Sequence, residues 1–247
     1  MKRLLNIMLV ISLVLFIGMG VAVFVVYQRS SKVDTSLLEM NTATNKGSLS
    51  TKKGRADHPS IHLIFYRQAG QEKLSDVVVE LLDETKNTLT YMSIPLETEI
   101  ELSPNLYQRL SVIFPEVPQY FKLKYFGELF DKKKEYAYAQ LVLDEVLSID
   151  SSYYSVIEST QETFKEYQQA VYASCRGANE TQIKQVIETE YEHIKSNLSK
   201  KKKGTYADKY VMVPRNAITF TDVKGEWHTN SFQVDLGEMS ILMQALQ

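Results

Sequence analysis

Two runs rich in β-branched and apolar residues, Val77 to Leu82 and Thr88 to Ile94, flank the polar loop Asp83 to Asn87. Strand-forming runs joined through a short turn-rich loop specify a β-hairpin. Their near-continuous apolar character suits strands covered on both faces, so the hairpin is expected at the centre of a sheet. Ser75-Asp76 opens its first strand, and Ser93-Ile94-Pro95 closes its second. Pro95 cannot donate to a ladder, which ends the strand there. Both ends then fall at one sheet margin, placing the Asp76 carboxylate near the residues after Pro95, where an α/β sheet commonly holds a ligand.

At the start of the chain, Ile7 to Val26 is apolar over about 20 residues, the length that crosses a bilayer as a helix. It continues past any small-residue cleavage site, so an uncleaved anchor at 7–27 is expected. Lys2 and Arg3 put residues 1–6 in the cytoplasm and the remainder outside the cell membrane. Residues 28–60 are polar, without apolar periodicity, and read as a flexible stalk before a domain at 61–247. A net charge of −2 excludes a globally basic nucleic-acid-binding surface. The one cysteine, Cys175, cannot form an intramolecular disulfide and reads as a small buried apolar residue.

Further strands are expected at Ile61 to Tyr66, Glu99 to Leu102, Tyr153 to Ile157 and Ser231 to Val234. A short helix should open at Pro104 and Asn105. Longer helices are predicted over Gln119 to Phe130, Lys134 to Ile149, Gln161 to Ser174, Glu180 to Ser199 and from Leu236 to Leu246. Lys200 to Lys203, followed by Gly204, read as the C-terminal cap of the helix before them. Residues Lys209 to Val213 alternate as a strand does, through Ile218 and Phe220. Strands alternating with amphipathic helices indicate an α/β protein. His58, His62, His193 and His228 show no metal-ligand spacing and read as surface or stalk residues.

Leu74-Ser75-Asp76-Val77 and Ser93-Ile94-Pro95-Leu96-Glu97-Thr98 resemble two motifs of the LytR-CpsA-Psr family of bacterial envelope proteins, Arg-Ser-Asp-Thr and Ser-Ile-Pro-Arg-Asp-Thr. Leucine stands at both arginine positions. Lys122-Leu123-Lys124 is similar to a Lys-Leu-Asn motif of the family, without the glycine pair that ends it there. Leu147-Ser148-Ile149, leading to Tyr153-Tyr154, is similar to the family's Leu-Gly-Ile passage into a strand. Thr181 to Val186 fits an Arg-x-x-Arg-Gln-Gln pattern, with Lys184 and Gln185 kept in altered form and Arg176 as a displaced arginine.

The resemblance implies an α/β/α sandwich with a central mixed β-sheet, preceded by one transmembrane helix. It also implies an extracytoplasmic protein that handles a polyprenyl-phosphate lipid or wall glycopolymer, the lipid lying in an apolar tunnel between sheet and helices. Family members transfer glycopolymer from a polyprenyl pyrophosphate to peptidoglycan with arginines and magnesium on the pyrophosphate. Arginine matters there because its planar fork binds phosphate oxygens at two points, which a lysine cannot reproduce. The matching positions here make Lys73, Asp76, Glu97, Lys122, Lys124, Arg176, Lys184 and Gln185 the candidate pyrophosphate site, with Asp76 the candidate magnesium ligand. Losing one such donor costs roughly a hundred- to a thousandfold in rate, so leucines at positions 74 and 96 imply a degenerate enzyme. The alternative is an active phosphotransferase that relies on lysines around Asp76-bound magnesium. For the expected topology, protease added to intact protoplasts should remove the domain; a protected domain would refute the outward orientation.

Overall fold

The computed structural model describes residues 49–55, 60–130 and 135–244. The expected span at 7–27 and the stalk up to residue 48 lie outside the described residues. Among those described, no helix is long and apolar enough to cross a membrane.

In chain order the first elements are β1 (Ser60–Gln68), β2 (Asp76–Asp83), β3 (Thr88–Ile94), β4 (Glu99–Glu101), α1 (Pro104–Leu110) and β5 (Tyr120–Lys122). They are followed by α2 (Phe126–Leu129), α3 (Tyr136–Val146), β6 (Tyr153–Ser159), α4 (Phe164–Ser174) and α5 (Glu180–His193). The last are β7 (Lys195–Ser196), α6 (Lys200–Val211), β8 (Ile218–Asp222), β9 (Gly225–His228), β10 (Ser231–Val234) and α7 (Leu236–Gln244). The principal sheet is mixed, in the order β7-β6-β1-β2-β3-β8. The predicted hairpin is β2–β3, pairing antiparallel from Val77 opposite Ile94 to Asp83 opposite Thr88, and it sits inside the sheet as expected. Asp83 shapes its turn by accepting from the backbone N–H of Thr85 and Lys86, while Asn87 takes the positive φ of 50° that asparagine tolerates.

Both faces of the sheet are covered. On one, Ile64, Tyr66, Val78, Leu82, Leu89 and Tyr91 pack with Phe164 and Tyr167 of α4, Leu198 and Val213. On the other, the Phe65 ring meets Tyr136 of α3 at 5.0 Å and Phe126 of α2 at 6.4 Å. The two-residue alternation of a strand thus divides β1 between two helical layers.

Several local expectations are corrected. Gln119 to Phe130 is not one helix: Tyr120–Lys122 pairs with β4, a single 3-10 turn follows, and α2 is one turn long. Backbone bonds explain this, since Leu123 N–H goes to Thr98 and Lys124 N–H to Leu96 instead of along a helix. The helix expected through Ser199 ends at His193, and the lysine run starts α6 with Ser199 as its N-cap. Lys203 nonetheless caps carbonyls in the predicted sense, because its Nζ donates to Ile194 O at the end of α5, 2.7 Å away. Gly204 lies within α6, and Lys209 to Val211 complete that helix instead of forming a strand. Residues 50–55, assigned to the stalk from sequence, pack on the domain. Lys52 Nζ bridges Asp144 (2.6 Å) and Asp150 (2.5 Å), and Arg55 joins Asp150 at 2.9 Å.

Ser148 lies in the passage that resembles the family's Leu-Gly-Ile. It has a φ of +53°, the left-handed region where glycine is favoured, and is exposed. A Cβ there costs on the order of 1 kcal/mol, partly offset because glycine makes the unfolded chain more flexible. Ser148→Gly should therefore raise stability by about 0.5 kcal/mol in denaturant unfolding; a loss of stability would show that the serine side chain compensates its strain.

Candidate functional site

The antiparallel register of β2 and β3 brings the start of one strand beside the end of the other, so Asp76 lies next to Pro95 at the expected margin. Pro95 to Thr98 form a tight turn in which the N–H and hydroxyl of Thr98 both donate to Pro95 O, at 2.9 and 2.6 Å. That turn presents Glu97. Its carboxylate is held by Lys122 Nζ at 2.8 Å and Lys124 Nζ at 2.9 Å. The two ammonium groups hold Glu97 below the usual glutamate range, and Glu97 in turn raises Lys124. Lys122 also donates to Asn230 O in the β9–β10 turn. Three candidates thus meet in one cluster, two ammonium groups sharing one carboxylate.

Asp76 does different work. Its Oδ2 accepts from the backbone N–H of Phe164, the first residue of α4, at 2.6 Å. An N-terminal helical N–H has no partner within its own helix, and the helix dipole favours an anion there. Burial nevertheless raises the Asp76 carboxyl above the usual aspartate range, the Phe164 N–H opposing the shift and Glu166 adding to it.

The remaining candidates stand apart. Lys184 of α5 pairs with Asp208 of α6, which raises its ammonium pKa. Gln185 is exposed, and Arg176 is exposed in the loop after α4. Lys73 is exposed and only 4.0 Å from Glu128. Among the described residues, no hydrogen bond or ion pair joins Lys184 or Arg176 to Asp76 or Glu97. Leu74 is buried, 4% exposed, and Leu96 is half-buried. No group of three or more His, Cys, Asp or Glu gathers as for a metal ion among the described residues. Asp76 gives one oxygen to α4, and Glu97 is taken up by two lysines, so this donor set fits magnesium poorly.

A second feature lies on the sheet face beneath α4, α5 and α6. A cavity of about 100 Å³ is bounded by Ile64, Tyr91 and Ile157 of the sheet, Tyr167, Val171 and Cys175 of the α4 region, Ile183 and Ile187 of α5, and Val213. Buried Cys175 matches its expected apolar role. Two polar side chains that sequence reasoning missed, His62 and Glu80, also line it, 1% and 2% exposed. They are cross-strand partners, with His62 Nδ1 2.9 Å from Glu80 Oε1. Tyr210 of α6 donates its hydroxyl to the same oxygen. His62 is therefore buried, contrary to its surface reading; His228 is exposed, His58 lies outside the described residues and the His193 side chain is likewise not described.

No family model matches the sequence, and no curated protein matches it. Solved structures do. TagV of B. subtilis matches at 13% identity, over 79% of this chain and 97% of that one, with a TM-score of 0.53. Protein gbs0355 of Streptococcus agalactiae matches at 11% identity, over 76% and 86%, also with a TM-score of 0.53. EF0465 of Enterococcus faecalis, described as a transcriptional regulator, matches at 10% identity, over 76% and 87%, with a TM-score of 0.51. The domain is thus a mixed α/β structure with a LytR-CpsA-Psr-like fold, in agreement with the motif resemblance.

Asp76 gives a test of its own. Asp76→Ala leaves the Phe164 N–H without its acceptor and should cost about 1 kcal/mol, whereas Asp76→Asn keeps an acceptor oxygen and should cost less. A native pKa above the unfolded one means the folded state binds more protons between the two values. Wild-type stability should then fall as pH rises from the ordinary aspartate value, about 3.9, through the raised native value. The asparagine variant, measured by urea unfolding across that range, should lack this component of the fall; identical slopes would refute the buried charge.

Proposed function

We propose that this chain is a membrane-anchored, extracytoplasmic LytR-CpsA-Psr-like protein of the bacterial cell envelope, which binds a polyprenyl-phosphate-type lipid or assists wall-polymer assembly without efficient catalysis. The reading includes the α/β/α sandwich of the family, supported by helices on both sheet faces, and the single-pass anchor at 7–27, supported by its apolar length. The observation that carries it is the state of the charges at the sheet margin. Lys122 and Lys124 share the one Glu97 carboxylate, which offsets only part of their charge, while leucines occupy both positions that match motif arginines. A pyrophosphate placed there would compete with Glu97 for the lysines and would meet apolar surface and point charges where arginine forks would bind it at two points.

Lipid binding is the function that outlasts such a loss. It needs apolar surface in a cavity between sheet and helices, and the cavity under α4 to α6 supplies that. At about 100 Å³ it takes a short apolar segment, so a longer prenyl chain would have to spread α4 and α5.

The test uses the full chain in lipid nanodiscs. Titration with a polyprenyl phosphate should show saturable binding. Incubation with magnesium, a polyprenyl-pyrophosphate-linked glycan and peptidoglycan should then yield transfer no faster than the protein-free control. Magnesium-dependent transfer that Asp76→Ala abolishes would overturn the non-catalytic reading, and absence of lipid binding would overturn the reading as a whole.

A further inference from the structure

Five side chains form one row across the sheet, each opposite the next: Tyr153 of β6, His62 of β1, Glu80 of β2, Tyr91 of β3 and Phe220 of β8. The ends of the row are aromatic, with His62 stacked on Tyr153 at 3.9 Å and Tyr91 on Phe220 at 5.0 Å. Its middle is a buried carboxylate and an imidazole. A purely hydrocarbon occupant needs neither, and burying polar groups against hydrocarbon is costly unless they are bonded.

The bonding fixes what His62 offers. Glu80 Oε1 receives the Tyr210 hydroxyl and so faces His62 Nδ1 as an acceptor, which selects the imidazole tautomer with its proton on Nδ1. Nε2 then carries a lone pair, and it is buried without a hydrogen-bond partner among the described residues. The complementary group is a hydrogen-bond donor on an otherwise apolar molecule.

There is also a way in. A cleft of about 450 Å³ between α4, α5 and β6 shares Ile157, Tyr167, Val171, Glu190 and Ile194 with the cavity. Between the two spaces the Tyr167 hydroxyl donates to Glu190 Oε2 at 3.0 Å, a single bond linking α4 to α5. The cavity alone is smaller than the roughly 150 Å³ that houses benzene in an engineered core. A ligand of useful size would therefore keep its polar end in the cavity and extend its body past Tyr167 and Glu190 into the cleft.

We infer that this cavity and cleft form a binding site for an apolar alcohol, an alkyl or isoprenoid body bearing a free hydroxyl that donates to His62 Nε2. The site shares its cavity with the lipid reading above but requires neither a phosphate nor the sheet margin. Glu80 acts as a positioning residue, holding the imidazole tautomer that accepts.

The test uses the full chain in nanodiscs with His58, His193 and His228 replaced by Gln, so that His62 is the remaining histidine. The probes are geraniol and geranyl methyl ether, which share the geranyl skeleton, the ether carrying an O-methyl group in place of the donor hydrogen; empty nanodiscs correct for partitioning. By titration calorimetry, geraniol should bind about tenfold or more tightly than the ether. In spectra of ¹⁵N-labelled histidine, only geraniol should move the Nε2 resonance. In the wild-type side-chain background, His62→Phe should bring the two probes to equal affinity; if that variant does not fold, the probe pair and the resonance decide. Equal affinities, no binding by either probe, or binding that leaves Nε2 unmoved would overturn the inference. Polyprenyl phosphate binding without discrimination between alcohol and ether would overturn it while leaving the lipid reading intact; the converse result would do the opposite.

Discussion

The structure depends on the register of three antiparallel strands. Pairing β1 with β2 and β2 with β3 sets His62 against Glu80, Glu80 against Tyr91 and Val77 against Ile94. A slip of one residue would turn every side chain of a strand to the opposite face. His62 and Glu80 would then part, and Asp76 would no longer stand beside Pro95. The apolar set enforces the register: Ile64, Tyr66 and Val78 must meet α4, while Phe65 must meet α2 and α3. The margin and the interior cavity are therefore two products of one alignment.

α4 connects them mechanically. Its first N–H is held by Asp76, its capping box joins Thr163 and Glu166, and further along it Tyr167 and Val171 wall the cavity. Asp76 thus holds the end of the helix that covers the interior space. The same carboxylate that the motif resemblance marks for a metal is, in this chain, an anchor for a helix.

Much of this was legible in the sequence, for reasons that differ from part to part. The hairpin was readable because β-branched runs, a turn-rich loop and a closing proline agree over a short span. The helices α3 and α5 were readable from apolar periodicity, although the pattern blurred their ends. Tyr120 to Lys122 was misread because its apolar spacing suits a helix, whereas non-local pairing with β4 takes its backbone bonds. Such pairing leaves little trace in a local window. The lysine run was assigned to the wrong helix since nothing local told Ser199 that it was a cap. Among the candidate residues, Asp76, Glu97, Lys122 and Lys124 were picked out by motif, but the sharing of Glu97 by two lysines and the hold of Asp76 on α4 were not. His62 and Glu80 had a signal that went unused: each is the polar residue in an otherwise apolar run, Ile61 to Tyr66 and Val77 to Leu82, and antiparallel pairing makes them neighbours.

Leu74 has a further consequence. It is buried, and Gly127 of α2 packs so closely on residues 72–74 that an added Cβ would meet Glu72 O at 2.8 Å. An arginine at position 74 would need a route for its charge out of a space fitted to an aliphatic side chain, and a partner once there. Glu97 is already committed to Lys122 and Lys124. An arginine at position 74 would thus require repacking around Gly127 and redistribution of the margin's charges together, each unfavourable alone. The cost of Leu74→Arg is thus set by two surroundings at once, and neither a repacked interior nor a rearranged surface charge would by itself accommodate it.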